Sequence, residues 1–511
     1  MKDKPKSKWY WRVLRWGLIG LAIIATLAAV LVTEENWRGK HEWETFKQQS
    51  EARGEGLAIA AVIPPPVPDD ENFFAAPIIA QALQAEWSQI TNTAGGGKPE
   101  HNPLDFNIYR GNSSPTFSGD WRRAKATDLK PWQNYIREYN DSPEGKTNGF
   151  PVAAAPQSAG ADVLLALSNF NPTVEALRQA GRRPQARLPL DYEQGFAVTG
   201  VLLPWLATEK RCIQLLELRS VAELDAGQNQ AAWDDLTLLL KLDDALRNQP
   251  YLISQLVRLA VAQYALQPIY DGLAWHRWDD AQLASLETAL AGEDFLADFQ
   301  LAMRGERTCA IQSFENQRLT HQIKFYTEQD GQTVMSTNSL RWMPSAYFYQ
   351  NELAFARLYE QAVLPLVDLT NRTVSVAGYH AADANNQAAM KHYGPYILQA
   401  LALFPSVCKS VIKFAETQAD VDLARVACAL ERYRLAHGGY PDSLGALAPQ
   451  FISALPHDVI GGQPLHYRRT DDGKFVLYSV GWNEKDDGGT VVLTKTGTVD
   501  RQRGDWVWQG W

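Results

Sequence analysis

The sequence predicts a mainly α protein with an N-terminal transmembrane helix, an irregular array of helix pairs and a C-terminal α+β module. An uncharged apolar run occupies residues 17–33. Apolar residues then recur at helical spacing through most of 161–317, and the last hundred residues combine one long helical pattern with short strand-like segments. A chain of 511 residues is too long for one ordinary core, so several domains are expected. We divide the chain into residues 1–33, 34–160, 161–404 and 405–511.

The first segment is predicted to cross a membrane. At about 1.5 Å per residue, residues 17–33 span roughly 25 Å, which nearly matches the apolar core of a bilayer. Basic residues dominate the preceding flank: Lys2, Lys4, Lys6, Lys8, Arg12 and Arg15. Such a flank stays in the cytoplasm, so everything after Thr33 is expected on the other side. A cleaved signal peptide is the alternative, because Thr26-Leu27-Ala28 offers small residues for cleavage, but the length of the apolar run favours a retained anchor.

Residues 34–160 are predicted to form a stalk followed by a loop-rich region. The charged segment 33–51 is expected to be a helix that lifts the body of the protein off the bilayer. Residues 57–63 are predicted to be extended, and the proline-rich segment 64–68 a stiff polyproline stretch. A helix is expected within 69–99. Residues 100–160 are rich in Gly, Pro, Ser and Asn, which favours loops that decorate a helical body.

Residues 161–404 are predicted to be antiparallel helix pairs joined by short turns. Helical patterns at 205–226 and 231–246 are separated by a break at Gly227, and Asp279 or Asp280 is placed to cap a later helix. Part of this stretch is faintly similar to half a tetratricopeptide repeat, but no period of about 34 residues is sustained. The segment is therefore interpreted as an irregular helical array. A plain bundle without a binding groove is the open alternative.

The last hundred residues are predicted to fold as a long helix and a small antiparallel sheet. Apolar residues follow one face of the helix: Leu423, Val426, Ala427, Leu430 and Tyr433. Gly438-Gly439 ends the helix, and Tyr440-Pro441 keeps it ended. Asp472-Gly473 then predicts a hairpin turn, which an acidic, glycine-rich loop follows.

This order of helix, turn, hairpin and acidic loop resembles the globular half of the G-type major pseudopilins of type II secretion. Similar tails are found on large uncharacterised envelope proteins of Planctomycetes-type and Verrucomicrobia-type bacteria. The resemblance implies a single-pass protein of the bacterial inner membrane with its bulk in the periplasm. The family's leader, Gly-Phe cleavage site and membrane glutamate have no counterpart here, so processing and assembly as a pilin are not expected.

The resemblance also implies a calcium ion in the acidic loop. G-type pseudopilins bind calcium in the corresponding loop, and the matching segment here reads YSVGWNEKDDGG. Calcium prefers six to eight hard oxygen ligands from carboxylates, amides and backbone carbonyls. The predicted ligands are Asn483, Asp486, Asp487 and Asp500. The alternative is a solvated acidic turn without a metal.

Other chemistry is largely excluded by the sequence. A formal net charge of −9 argues against nucleic acid as a partner. The motifs HExxH, GxSxG, GxGxxG and CxxC are missing, and Pro99 disqualifies the glycine run 95–98 as a phosphate loop. The acidic pairs Asp234-Asp235 and Asp243-Asp244 are interpreted as solvated helix faces rather than glycosidase carboxylates. The four cysteines could form two disulfides or be buried as small apolar side chains.

These observations predict a membrane-anchored extracytoplasmic protein with a structural or interaction role and no enzymatic activity. Its expected partners are the inner membrane, through residues 17–33, and other envelope proteins. One alternative is a component of a type II secretion or pilus-like machine. Another is a carbohydrate-active or peptidoglycan-active enzyme, which would use carboxylates and some of the 17 tryptophans.

Overall fold

The protein is mainly helical, with 63% helix, 7% strand and small antiparallel sheets near the C-terminus, which confirms the predicted fold class. The computed structural model describes residues 7–92, 100–110, 115, 118–192, 204–326, 334–337, 340–391 and 398–511. The glycine run 95–98 lies outside these residues. The helices are α1 Ser7–Ala52, α2 Pro77–Asn92, α3 Lys130–Asp141, α4 Gly145–Asn148, α5 Ala159–Leu167, α6 Asn171–Gly181, α7 Pro204–Asp225, α8 Asn229–Ala245, α9 Leu252–Ala274, α10 Asp280–Ala291, α11 Phe295–Thr320, α12 Ser345–Leu358, α13 Val376–Lys391 and α14 Leu398–His437. The strands are β1 Ile323–Tyr326, β2 Val334–Thr337, β3 Val367–Asp368, β4 Thr373–Val374, β5 His466–Arg469, β6 Phe475–Ser479, β7 Val491–Leu493, β8 Val499–Gly504 and β9 Trp506–Gln509.

Helix α1 contains the predicted membrane segment. Of the described helices, it is the one that is long and apolar enough to cross a membrane, with a mean hydropathy of 2.3 in its most apolar stretch. None of that stretch is buried in the protein. A core helix of equal hydropathy would be covered by other elements, so the exposed apolar surface agrees with a membrane span.

The predicted stalk is helical, as expected, but its second half does not stand free of the body. Trp43 and Phe46 are buried and pack with Tyr349 and Leu353 of α12 in one apolar cluster. Ser50, one turn further on, is also buried. The many charged residues of this segment suggested a helix surrounded by solvent. Its apolar residues Trp43 and Phe46 instead pack against the body. The body therefore lies directly beside the end of the membrane segment.

The region predicted as loops contributes to the main core. It includes α3, which begins beside Pro131, and a short 3-10 turn at Trp121–Arg123. Trp121, Trp132 and Tyr135 are buried in the main apolar cluster. Upstream, the expected extended segment 57–63 instead contains a 3-10 turn at Ile59–Ala61. The many Gly, Pro and Ser residues form the turns between these short elements. Because they dominate the composition, the sequence predicted loops although the segment also contains buried aromatic residues.

The helical array follows the predicted breaks closely. α7 and α8 pack against each other on either side of the break at Gly227, and α9 packs on both. Asp279 caps α10 in a capping box with Gln282, as expected from the sequence. α11 comes close to the start of α9, where a side chain at Gly305 would place its Cβ 1.7 Å from the carbonyl oxygen of Pro250. That approach requires glycine.

The C-terminal residues form the predicted long helix and small sheet. α14 ends at Gly438, whose φ of +80° lies in the left-handed region that favours glycine. β5 and β6 form the hairpin predicted at Asp472-Gly473, and β9 pairs antiparallel with β6 in the order β5-β6-β9. β7 and β8 form a separate two-stranded ribbon.

Helix α14 lies at the centre of the protein and does not have a single apolar face. It packs against helices α9 to α13 and against strands β6 and β9. Most of its side chains from Val407 to Glu431 are buried. The predicted division between residues 404 and 405 falls inside this helix. One apolar cluster extends from Phe73 to Trp508, so the C-terminal module shares its core with the helical array.

The four cysteines are unpaired and buried. The sequence left open two disulfides or burial as small apolar side chains, and the structure has the four cysteines buried and unpaired.

Candidate functional site

The acidic loop is held together by Asp505, which was not among the predicted calcium ligands. Its buried carboxylate accepts hydrogen bonds from the backbone N–H groups of Asp487, Gly489 and Thr490, at 3.2, 2.6 and 3.1 Å. A carboxylate that accepts several backbone donors fixes the path of a loop. Asp505 precedes β9, so the loop is tied to the sheet.

The predicted ligands make separate local contacts. Asp486 accepts from the hydroxyl of Tyr478 at 2.9 Å, and Asn483 donates to Asp487 at 2.8 Å. Asp500, on β8, is paired with Arg503 at 2.7 Å. Among the described residues, no three His, Cys, Asp or Glu side chains are grouped so as to hold a metal ion.

The side chains of the predicted ligands are therefore engaged with separate partners within the protein. The calcium site stays a prediction. To check it, the melting temperatures (Tm) of the wild type and of an Asp486→Ala/Asp487→Ala variant would be measured in calcium and in EGTA. A calcium-dependent rise that the double substitution does not remove would contradict the ligand assignment.

A buried ion cluster surrounds Arg258 in the helical array. This side chain is fully buried on α9 and lies 3.2 Å from a carboxylate oxygen of Asp243. It also pairs with Glu293 and Asp298, and its guanidinium lies 4.6 Å from the ring centre of Phe295. One cation thus pairs with three carboxylates from two distant parts of the chain.

The interpretation of the two acidic pairs on α8 as solvated faces was wrong for one member of each pair. Asp235 and Asp243 are buried, whereas Asp234 is exposed. Asp235 is paired with Arg178 and, at 2.8 Å, with Arg219. These carboxylates hold helices together, which explains why charged residues occur on the inner face of α8.

A second ion cluster joins the helical array to the C-terminal module. Asp420, buried on α14, lies 2.6 Å from Arg122 and accepts a hydrogen bond from Gln263 at 2.9 Å. Glu416, one turn earlier, pairs with Arg501 of β8 at 2.9 Å. Burial and the neighbouring Asp420 raise the pKa of Glu416 to about 7. Three distant segments of the chain are fixed here by opposite charges.

A polar cavity lies where helix α1 meets the body. This junction cavity has a volume of about 240 Å³. Its wall includes Trp43 and Lys47 of α1, Arg318 of α11, and Tyr349 and Glu352 of α12. The cavity combines aromatic surface with both signs of charge, which is the composition of a site for a small polar molecule.

Glu352 is the most unusual group in the wall of the junction cavity. Its side chain is only 2% exposed, and in the part of the chain that the structure describes its Oε1 has no hydrogen-bond partner. Burial raises the pKa of Glu352 to about 8, although Arg318 and Lys47 oppose the shift. The carboxyl group is therefore mostly protonated at pH 7 and can both donate and accept a hydrogen bond.

No family model, curated protein or solved structure matches this chain. The kinship of the C-terminal module with pseudopilins therefore stays a prediction.

The sequence contained little that pointed to the junction cavity. Glu352 lies in an aromatic helix, where a lone glutamate suggests a solvated position. A weak signal was available, because YFYQNELAF places this single acid among apolar and aromatic residues. Its neighbours Lys47 and Arg318 are remote in sequence, and only the folding of α1 onto α11 and α12 brings them close.

The buried acids predict that the protein is more stable in mild acid than in mild base. Burial raises the pKa of Asp271 to about 7, from 3.8 for an ordinary aspartate, and raises that of Glu217 as well. Between pH 3.8 and about pH 7 the buried carboxyl of Asp271 keeps a proton that the unfolded chain has released. The free energy of unfolding therefore falls as the pH rises over this range. We expect a higher Tm at pH 5.5 than at pH 8, measured in detergent by intrinsic fluorescence.

Asp271→Asn should flatten this pH dependence, because its amide oxygen can still accept the hydrogen bonds from Thr127 and Gln267 without titrating. Asp442→Asn, at a side chain that is 94% exposed, is the matched control and should keep the wild-type slope. A wild-type Tm that rises from pH 5.5 to pH 8 would contradict the role given to the buried acids.

Proposed function

We propose that the protein is a single-pass, membrane-anchored protein of the bacterial cell envelope with its folded body in the periplasm. The observation that supports this most directly is the uncovered apolar surface of α1, which is continuous with a helix segment packed on the body. The basic flank favours a cytoplasmic N-terminus. The periplasmic location rests further on the resemblance of the tail.

The body is suited to a structural or interaction role. Some of its charged residues form buried clusters that join distant segments, such as those of Arg258 and Asp420. Buried charges of this kind fix the relative positions of helices. A rigid helical body held at a membrane can present a fixed surface to other envelope proteins. The alternative of a secretion-machine component rests on the resemblance of the tail alone.

Reporter fusions test the proposed topology. Alkaline phosphatase, which is active only outside the cytoplasm, should be active when fused after Ala52 or after Trp511. Green fluorescent protein fused at the same two positions should be dark when exported through the general secretion pathway. The reverse pattern at both positions would contradict the topology, and release of the body into the soluble fraction would show that α1 is cleaved.

A second candidate function is the binding of a small neutral, hydroxyl-bearing compound in the junction cavity. The mostly protonated carboxyl of Glu352 favours it, because its Oε1 has no hydrogen-bond partner among the described residues and can gain one from a hydroxylated ligand. Trp43 and Tyr349 add aromatic surface of the kind that sugars pack against. The volume of about 240 Å³ admits a compound the size of a monosaccharide.

Ligand-observed NMR with glucose and N-acetylglucosamine tests this candidate. We expect saturation transfer with the wild type that Glu352→Ala removes. Asp442→Ala, at the exposed position used above, should leave the transfer unchanged. Saturation transfer that persists in the Glu352 variant, or none with the wild type, would contradict the site.

A further inference from the structure

The start of α12 is fixed beside the end of the membrane segment. The backbone N–H of Ala346 donates to the side-chain oxygen of Asn36 on α1, at 2.7 Å. Gly39 lies against the same residue, where a Cβ would come within 3.4 Å of the Cα of Ala346. Asn36 lies three residues beyond Thr33, or about 5 Å along the helix axis. The chain just before Ala346 is therefore level with the boundary between lipid and water.

That part of the chain exposes large apolar side chains. Trp342 is 89% exposed and Met343 40%, and Arg341 lies beside the Trp342 ring at 5.9 Å. Leu319, near the end of α11, is 66% exposed. Trp37, on α1 next to Asn36, is 67% exposed. Trp342 and Met343 precede Ala346 by four and three residues, and Trp37 follows Asn36 directly. Leu319 lies two residues before His321, whose ring contacts the carbonyl oxygen of Leu340.

The exposed segment is held firmly at its base. Leu340 is buried with Tyr347 and Phe348 in a small apolar cluster. The ring of His321 lies 3.3 Å from the carbonyl oxygen of Leu340. Because Leu340 is buried on one side and Ala346 is fixed to α1 on the other, the position of Trp342 is set by the fold.

We infer that residues 341–343 form a second contact with the bilayer that α1 crosses. Tryptophan prefers the interfacial layer, where its ring meets lipid while its N–H stays hydrated. Methionine adds apolar surface, and arginine reaches toward phosphate groups. The occupant of this surface is the lipid interface, because the surface continues directly from the membrane segment. This inference rests on the proposed membrane anchoring of α1.

The contact would restrict how the body can move. A single helix allows a body to swing about the point where it leaves the membrane. A second contact, formed by a separate part of the chain, fixes the tilt and rotation of the body relative to the bilayer. The periplasmic protein would then present the same face to its partners in every copy.

Site-directed fluorescence on the full chain tests the inference. The four native cysteines are buried, so a cysteine introduced at an exposed position can be labelled selectively with an environment-sensitive fluorophore. We would label Trp342→Cys, Ile24→Cys and Leu435→Cys separately, in vesicles of phosphatidylcholine and phosphatidylglycerol. Ile24 lies in the membrane segment, and Leu435 is an exposed residue in the last turn of α14. Nitroxide lipids that carry the quencher near the headgroup or deep in the acyl chain report depth.

The label at position 342 should be quenched at least twofold more by the headgroup nitroxide than the label at position 435. The label at position 24 should be quenched by the deep nitroxide. Quenching at 24 without quenching at 342 would overturn the second contact and leave the anchor intact. Loss of quenching at both positions would overturn the anchor, and the inference with it. A blue shift at 342 that grows with protein concentration, without quenching, would show contact with a second copy and would also overturn the inference.

Discussion

Arg258→Ala should lower the free energy of unfolding by about 3–5 kcal/mol, the usual cost of removing one partner from a buried ion pair. The substitution leaves three carboxylates, those of Asp243, Glu293 and Asp298, without their shared cation in a buried site. Burial raises the pKa of Asp298 to about 6 even though the Arg258 and Arg247 guanidinium groups oppose the shift. Without the guanidinium these acids must bind protons or draw in water, and both responses weaken helix packing.

Urea denaturation in detergent at pH 7.5 measures this effect. Arg469→Ala is the control, because it breaks an exposed pair with Asp442 and should cost less than about 1 kcal/mol. Part of the loss in the Arg258 variant should return at pH 5.5, where protonation neutralises some of the carboxylates. Equal midpoints for the wild type and the Arg258 variant at pH 7.5 would show that the cluster does not stabilise the fold.

Trp508→Ala should lower the free energy of unfolding by about 3–5 kcal/mol, as expected when a large aromatic core residue is truncated. Trp508 is fully buried on β9, with its ring centre 5.0 Å from that of Trp121 and 5.7 Å from that of Tyr270. Its removal opens a void between the C-terminal sheet, a turn of the loop-rich region and α9. We therefore expect the whole body to be destabilised, and not the C-terminal module alone.

Trp342→Ala is the matched control, because it is the same substitution at a side chain that is 89% exposed. It should leave stability in detergent unchanged. The signal to follow is the number of unfolding transitions, together with their midpoints. A Trp508 variant in which only part of the signal moves to a lower midpoint, as a separate transition, would show that the C-terminal module unfolds independently, contrary to the shared core.

Features that depend on neighbouring residues could be predicted from the sequence. The break at Gly227, the cap at Asp279, the helix end at Gly438 and the hairpin at Asp472-Gly473 all have local chemical causes. The apolar run of α1 could be recognised for the same reason. Each of these features occurs where the sequence predicted it.

Features that depend on distant partners could not be predicted. Asp235 and Asp243 look like solvated residues until Arg178, Arg219 and Arg258 are placed beside them. In α14 the sequence predicted one apolar face, but the acids Glu416 and Asp420 are buried as well. Their partner Arg122 lies almost 300 positions earlier in the chain. The candidate site was missed in the same way, because the wall of the junction cavity combines α1 with two helices near the middle of the sequence.

The central place of α14 has a consequence for biogenesis. The helix that fills the middle of the body begins at Leu398, so most of the polypeptide is synthesised before its principal packing partner exists. A domain whose core residues are all synthesised early can fold during translation. This body can complete its core only after α14 has been synthesised. Until then the earlier helices would present uncovered apolar surfaces to chaperones and proteases, and a chain that stopped before Leu398 would lack the helix around which the body packs.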